Sequence, residues 1–151
     1  MSFLRRLFGG DDDGPPPEPS GSPSGPVVVR DPEATLSDHV GRLLARPDLE
    51  FLIVEWDRAR GLYLQFAPQA SGVLHGESVG DRYLEPRHRL RTEQRNALQG
   101  LGWHEAPESG NWDQHWSGDV TPVEVARTCV ATMAIYGVTP RAEWTITFGA
   151  D

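Results

Sequence analysis

The chain predicts an α+β domain, an antiparallel sheet of about five strands with three helices on one face. Two observations carry that expectation. Apolar periodicity between residues 31 and 148 switches repeatedly between helical spacing and alternation, in the order helix, three strands, helix, strand, helix, strand. The connections are short and rich in Gly, Pro and Asp, and no repeat of fixed period interrupts them.

Asp31 opens the first helix as its cap, with Pro32 at the first helical position and Glu33 in the first turn. Leu36, Val40, Leu43 and Leu44 recur at helical spacing until Pro47 stops the run. Leu49 to Trp56 is β-rich and too apolar for clean alternation, as in a central strand buried on both faces. A turn over Asp57 to Gly61 leads into Leu62, Leu64 and Phe66, which alternate with Tyr63 and Gln65 and complete a hairpin. A third strand covers Val73 to Val79. Thr92 is the expected cap of the second helix, and Gly100 its left-handed stop. Trp112, Gln114 and Trp116 share one face of a fourth strand, with Asp113 and His115 on the other. Thr121-Pro122-Val123-Glu124 combines a capping box with Pro at the first helical position. The helix that follows has Arg127 as its only charge from Val125 to Pro140, so either it is central or a partner completes its burial. Trp144, Ile146 and Phe148 alternate in a closing strand.

Ahead of the domain (31–151), 12 of the 13 residues from Gly14 to Pro26 are Gly, Pro or Ser, the composition of a disordered linker over 14–30. Residues 1–13 form a short amphipathic leader whose Phe3, Leu4, Leu7 and Phe8 suit docking in a partner groove or on a membrane surface.

The charge balance restricts partners. Arg is the only strongly basic residue, and 14 of them against 22 Asp and Glu give a net charge of −8, which disfavours nucleic acid and acidic lipid surfaces. The single Cys129 excludes an internal disulfide and fits a reducing cytoplasm, as a buried inert thiol. No segment has the length of a transmembrane helix or a signal-peptide core.

Chemistry is sparse. Gly76-Glu77-Ser78-Val79-Gly80 matches the nucleophile-elbow pattern, but a polar stretch follows Ser78 where an apolar helix is required. The five histidines, His39, His75, His88, His104 and His115, show no metal-ligand spacing and no cysteine companion. No catalytic residue, cofactor or metal is therefore expected. The five tryptophans read as core and groove packing, and the basic run Arg82, Arg87, His88, Arg89, Arg91 and Arg95 as a solvated approach to the second helix.

Several stretches together resemble the TY-Chap domains of actinobacteria, named for likeness to type III secretion chaperones and YbjN proteins. They are Leu62 to Phe66, Glu77 to Leu84, the Leu98 to Trp103 helix end, Asn111-Trp112, and Thr121 to Val138 with its Tyr136-Gly137-Val138 ending. The resemblance covers about residues 31 to 148. It implies a chaperone-like fold, often dimeric in the secretion chaperones, that binds other polypeptides without catalytic residues. The expected function is thus a cytoplasmic chaperone or adaptor for a polypeptide client, with a homodimer within that expectation. Candidate partner-binding residues are Trp112, Trp116, Val123, Val130 and Tyr136. The alternatives are a peripheral membrane adaptor docked by the leader and, ranking below it, a small serine hydrolase using Ser78.

Overall fold

A computed structural model describes residues 24–137 and 143–150. The leader candidates Phe3, Leu4, Leu7 and Phe8 lie outside these described residues. The described residues contain seven strands: β1 Ser24–Val28, β2 Phe51–Asp57, β3 Leu62–Pro68, β4 Leu74–Ser78, β5 His104–Glu105, β6 Trp112–Trp116 and β7 Glu143–Gly149. They form one sheet in the order β1-β7-β2-β3-β4-β6-β5, with every pair antiparallel. Helices α1 Pro32–Ala45, α2 Thr92–Gly100 and α3 Pro122–Ile135 complete the α+β fold.

The strand count exceeds the expected five by two edge strands. β5 is two residues long, too short to show alternation. β1 lies at the end of the stretch whose composition suggested a linker, and pairing with β7 orders it despite Pro26; its register shifts between Ser24 and Val27. An edge position tolerates that proline because one side of the strand has no ladder to complete.

The strand register sorts side chains into two faces. Leu52, Val54 and Trp56 of β2 lie beside Phe66 and Leu64 of β3 and Phe148 and Ile146 of β7, and this face meets the helices. Leu36, Val40 and Leu43 of α1 and Val125, Ala126, Cys129 and Met133 of α3 close the core from above. α3 packs between α1 and α2, which settles the choice left open by its apolar composition: the chain's own helices cover it. The tryptophans behave as packing residues. Trp56 meets Tyr136 edge-on, Trp103 meets Trp116 at 87°, and Trp103 Nε1 donates to Thr132 Oγ1 at 2.8 Å.

Two helix ends differ from expectation. The N-cap of α2 is Arg91, not Thr92; the Gln94 side chain reaches back to accept from the Arg91 N–H at 2.8 Å. The left-handed residue after α2 is Gly102 (φ 97°), not Gly100. Trp103 N–H bonds to Leu98 O and Gly102 N–H to Gln99 O, so the helix runs one residue further, to a Leu101 cap, before the chain reverses. The Asp31 and Thr121 caps are present as read: Asp31 accepts from Ala34 N–H, and Thr121 and Glu124 bond each other's backbone reciprocally.

Candidate functional site

Ser78 ends β4 and is fully buried. Its Oγ lies 2.9 Å from Tyr136 Oη, which donates to Val79 O at 2.5 Å. A short 3-10 turn over Asp81–Tyr83 follows, not the strained strand-to-helix corner that exposes a nucleophilic serine. Ser78 is thereby committed to joining sheet and α3. Burial pushes the Tyr136 phenol above its ordinary value and does the same to the Cys129 thiol, which is unsuited to ionise.

The expected partner-binding residues divide by burial. Trp112, Trp116 and Tyr136 belong to the core, so their side chains hold the fold together and leave little or no surface for a client. The two tryptophans share one face of β6, as their alternation implies, and that face is the inner one, in keeping with their reading as packing residues. Val130 is half-buried against the core, whereas Val123, in the first turn of α3, is 40% exposed. Val123 lines a recess of about 590 Å³ with Asp31, Glu33, Ala34, Ser37 and Asp38 of the α1 start. The recess lies where the start of α3 meets α1, with Pro122 against Gly41, and the acidic cap and first turn of α1 supply its negative side. Arg127 Nε donates to Glu33 Oε1 at 3.0 Å and ties its rim across the helices.

The basic run is partly absorbed into structure. Arg95 pairs with both Asp81 and Glu105, fastening α2 to the loop after β4 and to β5, and Asp81 also accepts from Leu90 N–H at 2.7 Å. Arg82, Arg87, Arg89 and Arg91 remain exposed.

The face away from the helices carries the residue set that spacing along the sequence did not reveal. His75 and Glu77 alternate on β4, and the ladder sets His115 opposite His75 and Asp113 opposite Glu77. The His75 and His115 rings stack with centroids 4.6 Å apart at 13°. Asn111, just before β6, lies with Nδ2 3.2 Å from Tyr63 Oη and 3.5 Å from Glu77 Oε2, while its Oδ1 accepts from Gly80 N–H. Gly80 must be glycine: a Cβ there would fall 1.7 Å from Gly110 O. Among the described residues His75, Glu77 and Asp113 are the group whose side-chain donor atoms lie within reach of one cation, all within 4.8 Å of one another.

The architecture defines a two-layer antiparallel α+β domain in which, among the described residues, no helix is long and apolar enough to cross a membrane. The chain belongs to the TY-Chap3 family: the family model described as T3SS (YopN, CesT) and YbjN peptide-binding chaperone 3 matches residues 30–143. It is a domain of the peptide-binding chaperone class. Neither a curated protein nor a solved structure matches the chain.

Proposed function

We propose that this chain is a non-enzymatic peptide-binding chaperone or adaptor, and that the Val123 recess receives an apolar client side chain flanked by basic ones. The family match carries the peptide-binding reading. The recess supports the choice of surface, since it presents an exposed apolar residue beside Ala34 within a rim of Asp31, Glu33 and Asp38. An acidic rim attracts basic segments and repels acidic ones, so charge selects the client before packing holds it. The hydroxyl chemistry at Ser78 is directed inward, which favours binding over hydrolysis.

The test is a fluorescence-anisotropy screen of short peptides, basic-apolar against acidic-apolar, with wild type and Val123→Glu. Basic-apolar peptides bind wild type preferentially, Val123→Glu weakens them at least about tenfold, and amide exchange slows over residues 31–38 and 121–127. Undiminished binding in Val123→Glu, with protection mapped elsewhere, would move the site off this recess. Failure to bind any peptide class would remove the peptide-binding function itself.

A further inference from the structure

On the helix-free face, where β4 pairs with β6, we infer that His75, Glu77 and Asp113 form a divalent-metal site of the zinc type, with an open coordination position. This inference is independent of the peptide recess on the helical side.

The backbone prepares the three donors. Residues two apart on a strand project from the same face, which brings His75 and Glu77 together, and the ladder sets Asp113 directly opposite Glu77. Their donor atoms gather within 4.8 Å of one another without any loop or flexible segment taking part.

The distances distinguish a metal site from an ordinary ion pair. His75 Nε2 and Asp113 Oδ1 are 3.6 Å apart, both are buried, and neither has a hydrogen-bond partner. A histidine-carboxylate hydrogen bond would draw them to about 2.7–2.9 Å. Two donors on one tetrahedral ion, with bonds of about 2.0–2.1 Å, stand about 3.3–3.4 Å apart. The observed gap is therefore too wide for the direct bond and close to the width of a shared ion. Burying both atoms unsatisfied is costly, and a cation between them satisfies both at once.

The surroundings fit ligation. The stacked His115 ring fixes the plane of His75, and the Asn111 amide near Glu77 Oε2 fixes that carboxylate, the kind of outer support that metal ligands require. One imidazole and two carboxylates match zinc, cobalt or manganese better than calcium, which takes six to eight oxygen ligands. Three protein donors leave the fourth tetrahedral position for water or for a donor atom brought by another molecule.

The full-length, tag-free protein, stripped by chelator, tests this with two probes: ZnCl2 by isothermal titration calorimetry and CoCl2 by visible absorption. The expected result is one equivalent of zinc and the intense visible bands of tetrahedral cobalt. His75→Ala and Asp113→Asn each lower the affinity at least about tenfold, and His88→Ala, outside the cluster, leaves it unchanged. Asp113→Asn keeps side-chain size and decides the matter even where His75→Ala fails to fold, with circular dichroism as the check. Folded wild type that takes up no stoichiometric metal, or metal binding that survives Asp113→Asn at full affinity, overturns the assignment.

Discussion

Tyr136 shows how a single side chain sets both the stability and the pH response of this domain. Its hydroxyl meets Ser78 Oγ and Val79 O, so Tyr136→Phe leaves two buried oxygens short of a partner. The expected loss is about 1–3 kcal/mol, read from urea unfolding at pH 7; an unchanged midpoint would show that the hydroxyl contributes nothing net. Burial also holds the Tyr63 and Tyr136 phenols and the Cys129 thiol above their ordinary values. Below the unfolded values these groups are neutral in both states, and folding exchanges no proton. As pH rises past about 8.5 for the thiol and about 10 for the phenols, the unfolded chain ionises first, and stability is lost progressively until the folded groups titrate. Unfolding midpoints measured from pH 7 to 11 should therefore hold at first and then fall, and Tyr136→Phe should flatten the steepest part. At this scale the sequence marked Trp112 and Trp116 as packing residues on one face of a strand, and the tertiary structure decided that their burial leaves little surface for a client.

At the level of the element, helix ends carry the sharpest expectations. Gly102 holds φ 97° and Gly100 does not, although both stand near the end of α2. Gly102→Ala should cost about 1–2 kcal/mol, the penalty for placing a Cβ in left-handed backbone. A Cβ on Gly100 meets nothing within 4 Å, so Gly100→Ala should instead stabilise by about 0.5–1 kcal/mol through helix propensity. Thermal unfolding of the two variants decides between them, and the opposite order would place the helix stop at Gly100. At the start of α3, Thr121→Ala should lose about 1 kcal/mol with its cap. The Thr121 backbone N–H, then its hydroxyl, hold Glu124 below the usual carboxylate range. That contribution is complete above the unfolded carboxylate value and lost as pH falls through the folded one. The stability gap between wild type and Glu124→Gln should thus be present at pH 7 and vanish under acid. The Asp31 cap and the Thr121–Glu124 capping box were legible because three-residue spacing is local, whereas the Arg91–Gln94 box was masked by Thr92, a better cap residue by type. Gly100 misled because two glycines lay within one turn and only the hydrogen bonds to Leu98 and Gln99 choose between them.

For the whole molecule, charge governs the approach of a client. With a net charge of −8 and an acidic recess, binding of a basic-apolar peptide should weaken as salt is raised from about 50 to 500 mM, mainly through a slower association rate. Stopped-flow measurements separate that rate from dissociation, and a salt-independent rate would show that charge plays no part in recognition. The chain by itself determined the α+β class, the three helices and the order of the five inner strands among them, because periodicity, caps and turns are encoded over a few residues. It also carried the likeness to the chaperone family. What it left undetermined depends on partners distant in sequence. β1 becomes a strand only because β7 offers an edge, α3 is covered by α1 and α2, and Ser78 is spent on a tyrosine 58 residues away. The meeting of His75 and Glu77 with Asp113 belongs to the same class. The register of β4 against β6 creates it, and register is set by the buried faces of the whole sheet, which no local window of the sequence contains.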